Sequence, residues 1–178
     1  VVPLSTLYVA AALWSIAFSA GSAWLTFVVL AVMVAAAVRA LLVVINYPRR
    51  ESVPDWMVRL ERLTVGLYAG WATIAVFINF ASAVADQGLA EAASVGWQWA
   101  VLAVALVALL ALLWASRGAL GVAVAAIWAL VGVLVAVGTD STLLAVLCAL
   151  GIIAVAAVWM SIAYRDRRRA AGRGWSSS

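Results

Sequence analysis

Histidine and lysine are absent from the 178 residues, and cysteine occurs once, as Cys148 in an apolar run. Without histidine, the imidazole-based forms of metal binding, proton relay and general-base catalysis are excluded. One cysteine excludes an internal disulfide and any multi-cysteine metal site. Charge is scarce too, at 10% of residues, while 69% are apolar and the mean hydropathy is +1.18. Ordinary soluble domains carry about 25% charged residues, so this chain has too little polar surface to cover a water-soluble globule. What it has instead is apolar runs of bilayer-spanning length, which make it an integral membrane protein of all-α class, a polytopic helix bundle. All eleven basic residues are Arg, and they sit beside the apolar runs, so the pI near 10.0 reports membrane topology rather than nucleic-acid binding.

Breaks at Gly, Pro and charge divide the chain into six expected spans: Leu4–Ala20, Trp24–Asn46, Leu63–Ala85, Val95–Ala115, Ala119–Val137 and Thr142–Tyr164. The first is the shortest. Pro3 suits a first helical turn, Gly21-Ser22 separates the first two spans, and Pro48 and Pro54 bracket a polar connector. The charges test this count independently. Arg49, Arg50, Arg59 and Arg62 occupy the connector 47–62, Arg117 the fourth connector, and Arg165, Arg167, Arg168, Arg169 and Arg173 the tail. The alternate turns hold only Asp86, Glu91 and Asp140, so the positive-inside bias puts both visible termini in the cytoplasm, with a bacterial cell membrane as the expected location. The domain is expected to cover 1–164. The basic tail Arg165–Ser178, rich in Gly, Arg and Ser toward its end, is expected to fray. The first residue is Val, which leaves room for helices upstream.

The third span differs from its neighbours. Thr64, Tyr68, Trp71, Ala75, Asn79, Ser82 and Asp86 recur at helical spacing and form one stripe. Polar atoms facing lipid would go unpaired, so the stripe is expected to face protein, water or a ligand. Gly66 and Gly70 form Gly-x-x-x-Gly on nearly the opposite face, a pattern that lets a second helix approach closely.

The run Tyr68-Ala-Gly-Trp71-Ala-Thr73-Ile-Ala75-Val-Phe-Ile-Asn79 resembles the last-helix signature of the TspO/MBR family, the tryptophan-rich sensory or translocator proteins, which reads roughly Pro-Tyr-x-x-Trp-x-(Thr/Ser)-x-Ala-x-x-x-Asn. Trp14-Ser15-x-x-Phe18 is similar to the end of that family's third helix, and ten Trp residues suit its name. Leu67 stands where the family usually has Pro, and Ala11 where Asn would precede Trp-Ser. The resemblance covers residues 4–85. It implies a divergent branch with the family's first two helices missing here and three additional helices over 95–164. It also implies a helix-lined cavity for a tetrapyrrole such as protoporphyrin or haem, with Tyr68, Trp71, Thr73, Asn79 and Trp14 as candidate ligand contacts.

Each candidate has a plainer reading. Tyr68, Trp71, Thr73 and Asn79 can equally serve as interhelical hydrogen-bonding glue. Trp56, Trp97, Trp99 and Trp175 fit an interface belt, as do Trp24 and Trp114, while Trp14, Trp128 and Trp159 lie deeper and are candidates to face a cavity. Arg39, within a span but about two turns from its end, is expected to snorkel to the headgroups. Two loose cholesterol patterns, Val44 to Tyr47 to Arg49 and Val158 to Tyr164 to Arg167, read more simply as aromatic and basic anchors. No phosphate loop, hydrolase elbow or metal motif occurs, so enzyme chemistry has no visible apparatus and no resident cofactor is expected. Two functions follow. One is a sensory or carrier protein holding, and transporting or sensing, a hydrophobic porphyrin-like ligand. The other is a structural or assembly subunit whose Gly66/Gly70 face packs on partner proteins. The expected partners are membrane lipids, the hydrophobic ligand and a second copy of the chain as a homodimer.

Overall fold

The computed structural model describes residues 2–46, 53–88, 95–137 and 141–173, and all six elements among them are helices. They are α1 (Val2–Ser19), α2 (Ala23–Asn46), α3 (Asp55–Asp86), α4 (Val95–Ala115), α5 (Leu120–Val137) and α6 (Thr142–Arg173). The expected spans are recovered within a few residues, because Gly and Ser punctuation sets most boundaries. Gly21 takes a left-handed φ of 71° after α1. The Ser22 hydroxyl then accepts from the Leu25 amide at 3.4 Å to start α2, and Ser141 does the same for Leu144 at the head of α6.

Two boundaries depart from expectation. Helix α3 begins eight residues before its apolar run, since Pro54 seats its first turn and Asp55 complements the positive end of the helix dipole. Helix α6 does not fray at Arg165 but continues to Arg173. The segment 165–171 holds only Arg, Asp and Ala, six of its seven residues being strong helix formers on an already nucleated helix, and the first Gly comes at 172. Trp175 lies outside the described residues, as do Arg49, Arg50, Glu91 and Asp140.

Among the described residues, four helices are long and apolar enough to cross a membrane: Ala23–Asn46, Asp55–Asp86, Gly96–Ala115 and Thr142–Arg168. The apolar stretches Tyr8–Ser19 and Leu120–Ala136 belong to α1 and α5, helices of 18 residues each. Helix α3 is the hub, packing on α2, α4 and α5, while α1 lies against α2, and α6 against α5 and α4. Leu30, Met33, Leu41, Leu109, Leu113, Val122 and Val155 are fully buried where these helices meet. Outward-facing apolar residues such as Trp128, 77% exposed, and Val135 have no protein cover, which suits a surface in contact with acyl chains. Arg39 is also exposed, on the outer side of α2 two turns before Asn46.

Candidate functional site

The hub has three working faces, each traceable to residue size. On the first, Gly66 and Gly70 meet the start of α5. A Cβ at Gly66 would sit 3.2 Å from the Gly121 Cα, and one at Gly70 would sit 2.8 Å from the Ala125 Cβ. A Cβ at Gly121 would overlap the Leu63 carbonyl oxygen. The two helices thus touch backbone to backbone along a seam of small residues. This face is filled from within the chain, which leaves the assembly-subunit reading without the surface it relied on.

On the second face lie the residues singled out by motif. Trp14, Tyr68 and Trp71 come together as an aromatic cluster: Trp14 meets Trp71 edge-on at 6.5 Å between centroids, and Tyr68 lies 5.9 Å from Trp71. Phe18 extends it by stacking on Trp14 at 5.6 Å. The Tyr68 hydroxyl donates to the Met33 sulfur at 3.0 Å, so the cluster ties α1, α2 and α3 together. Thr73 and Asn79 stand apart from it. The buried Thr73 hydroxyl donates to the Ala69 carbonyl at 2.8 Å, and the Asn79 amide to the Ala75 carbonyl at 2.9 Å. Both bonds lie within α3. A hydroxyl bonded to its own helix, as in Thr73, carries no unpaired donor into the lipid, whereas the Asn79 amide keeps a second N–H beyond its bond to Ala75. Trp71 is 44% exposed on the outside of the bundle, and none of these five residues lines the cavities described next.

The third face carries a cavity of about 570 Å³, between α3, α4 and α5 with Leu144 of α6. Along α3 it is lined by Ile74, Phe77, Ile78, Ala81, Ser82, Ala85 and Asp86, which recur at three- and four-residue steps. Trp97, Gln98, Val101 and Ala105 face them from α4. Space exists because Ala81, Ala85, Ala105 and Ala136 are small where helix neighbours would otherwise interdigitate. A second cavity, of about 440 Å³, shares Phe77, Trp97 and Val101 and adds Phe27 and Phe80. Around it Trp24, Phe27, Phe80 and Trp97 form a second aromatic cluster, with Phe27 to Phe80 at 5.4 Å and Phe80 to Trp97 at 6.1 Å. Polar groups gather at one end of the larger cavity, where Ser82, Asp86 and Gln98 are exposed at its mouth. The Trp97 indole N–H is buried with no hydrogen-bond partner among the described residues.

Sequence reasoning reached two of these lining residues, Ser82 and Asp86, as members of the stripe. It read Trp97 as an interface anchor and passed over Phe77 and Gln98. The available signal was the row Ile74, Phe77, Ala81 and Ala85, which passes from large to small side chains on a helix already marked as central. Trp128, a candidate to face a cavity, points outward, and Trp159 packs half-buried against the core. Trp114 lies beneath the Arg165 guanidinium, 5.6 Å from its ring centroid, as an interfacial anchor would.

Among the described residues no cluster of three His, Cys, Asp or Glu side chains exists that could hold a metal ion. Comparison with protein families gives one finding: the sequence model of the family described as TSPO-like protein matches residues 2–162. The match runs through α4, α5 and most of α6, which lie beyond the 4–85 segment that carries the motif. No curated protein and no solved structure matches the chain.

Proposed function

The chain belongs to the family of TSPO-like proteins, and from that premise we propose that it is a membrane receptor or carrier holding a hydrophobic ligand without covalent chemistry. The observation that carries the reading is the 570 Å³ cavity with an apolar body, one polar end and the unpartnered Trp97 N–H in its wall. A volume of that size falls in the range of small-molecule pockets, roughly 300–1,000 Å³. A flat aromatic ring system of the porphyrin type suits Trp97 and Phe77, and the indole N–H offers a donor to a ligand carbonyl. Among the described residues Asp86 is the one ionisable residue in the lining, so a neutral ligand or one presenting a donor at that end is favoured over one presenting carboxylates. The orientation that accompanies this reading places both visible termini in the cytoplasm, and the Asp86 end of α3 on the opposite side.

The experiment is tryptophan quenching in detergent, titrating protoporphyrin and its dimethyl ester. The ester is expected to bind more tightly, Asp86→Asn to narrow the difference, and Ala81→Leu to weaken both by filling the cavity. Trp97→Phe should weaken a carbonyl-bearing ligand about 2- to 10-fold, the worth of one hydrogen bond of roughly 0.5–1.5 kcal/mol. Trp71→Ala combined with Asn79→Ala is expected to leave affinity unchanged. Loss of binding in that pair with none in Ala81→Leu would move the site back to the motif residues.

A further inference from the structure

The opposite end of α3 carries a cleft that the ligand reading does not use. It measures about 800 Å³ and is lined by Ile45 of α2, by Trp56, Arg59, Leu60, Arg62 and Leu63 of α3, by the turn from Ser116 to Leu120, and by Asp166 of α6. Three guanidinium groups, Arg59, Arg62 and Arg117, therefore share a cavity with one carboxylate and an apolar floor. Among the described residues none of the three has an ion-pair partner. The neighbouring arginines behave differently: Arg165 lies over Trp114, and Arg168 over Tyr164 at 4.6 Å.

Arg117 adds a backbone observation. Helix α4 ends with the Gly118 amide donating to the Leu113 carbonyl at 2.8 Å and the Arg117 amide to the Trp114 carbonyl at 3.0 Å. This paired closure puts the residue at Arg117 in the left-handed region, the position usually given to Gly. Arg117 takes it with φ of 53°, and it is the sole non-glycine residue with positive φ among those described. A side chain kept where glycine would be less strained points to use of the guanidinium itself.

We propose that this cleft binds the phosphate of an anionic phospholipid headgroup, with Arg59, Arg62 and Arg117 around the phosphodiester. The glycerol and upper acyl chain lie along Ile45, Leu60, Leu63 and Leu120. Guanidinium groups match phosphate oxygens in forked geometry, and basic pockets between helices at the membrane surface suit acidic lipids. Trp56, 63% exposed beside the cleft, places an amphipathic indole at headgroup level.

The test uses the purified full chain in neutral detergent with tail-labelled phosphatidylglycerol, competed by unlabelled phosphatidylglycerol, phosphatidylcholine or soluble glycerol 3-phosphate. Phosphatidylglycerol should compete at least tenfold better than phosphatidylcholine, and glycerol 3-phosphate should compete weakly. Arg62→Gln and Arg117→Gln should each weaken binding about fivefold, roughly the worth of one basic residue at an anionic surface, while Arg165→Gln leaves it unchanged. Arg117→Gly separates fold from site: it should bind as weakly as Arg117→Gln yet melt at a higher temperature, because glycine relieves the turn. Equal competition by the two lipids, unchanged affinity in the cleft variants, or glycerol 3-phosphate competing as well as the lipid would each overturn the proposal.

Discussion

The seam between α3 and α5 allows a test in which the helix-propensity contribution cancels. Consider Gly121→Ala against Gly132→Ala, two substitutions in the same helix. Both replace glycine by the best helix former, which favours the helix by roughly 0.5–1 kcal/mol. They differ in what the new methyl meets. At Gly132 there is nothing within 4 Å. At Gly121 it would overlap the Leu63 carbonyl oxygen and lie 2.9 Å from the Gly66 carbonyl carbon. Those are backbone atoms of a packed helix, so no rotamer change relieves the clash and the helices must separate. Overpacking of this kind costs about 1–3 kcal/mol, and in lipid, where packing rather than water exclusion holds helices together, little else compensates. Gly121→Ala should therefore be about 1–3 kcal/mol less stable than Gly132→Ala. Gly70→Ala, with its Cβ at 2.8 Å, and Gly66→Ala, at 3.2 Å, should fall between in that order. Reversible unfolding in mixed dodecylmaltoside and dodecylsulfate micelles, followed by far-UV circular dichroism, measures the series. If Gly121→Ala proved as stable as Gly132→Ala, the close contact of α3 with α5 would be refuted.

That contact also marks how far the sequence could be read. Gly66-x-x-x-Gly70 announces a close approach, and the helix order, with its Gly and Ser boundaries, follows from residue types alone. The partner does not, because Gly121 and Ala125 are ordinary in a helix rich in small residues, and only the fold brings them opposite Gly66 and Gly70. The aromatic residues of the motif were legible as a group: Trp14 lies 54 and 57 positions before Tyr68 and Trp71, on another helix, and meets Trp71, which in turn meets Tyr68. Their role was not legible, since a polar residue in a span can satisfy its hydrogen bonds in two ways. Asn79 and Thr73 bond to carbonyls one turn back, and nothing in residue type distinguishes that from a bond to a ligand. The cavity was least legible of all. It arises where Ala81, Ala85, Ala105 and Ala136 from three helices coincide, and an absence of side-chain volume leaves no motif. The arginines were legible as clusters in alternate connectors, but the approach of Arg59, Arg62 and Arg117 was not, since it depends on the turn at Arg117.

Two further predictions separate packing from polar satisfaction. Leu109→Ala, at a site 2% exposed, should destabilise by about 2–5 kcal/mol, toward the lower end because lipid solvates an unfolded Leu as well as the core does; micellar unfolding measures it. Tyr68→Phe and Asn79→Ala should diverge despite their shared stripe. The Tyr68 hydroxyl joins α3 to Met33 of α2, so its loss should cost roughly 0.5–1 kcal/mol, the worth of a typical interhelical bond in a membrane bundle. Among the described residues the Asn79 amide bonds within α3 alone, to Ala75, and that bond survives when the helices separate, so Asn79→Ala should leave unfolding unchanged within about 0.3 kcal/mol. An Asn79→Ala loss as large as that of Tyr68→Phe would mean that the amide has a partner on another helix, and that the stripe faces inward after all.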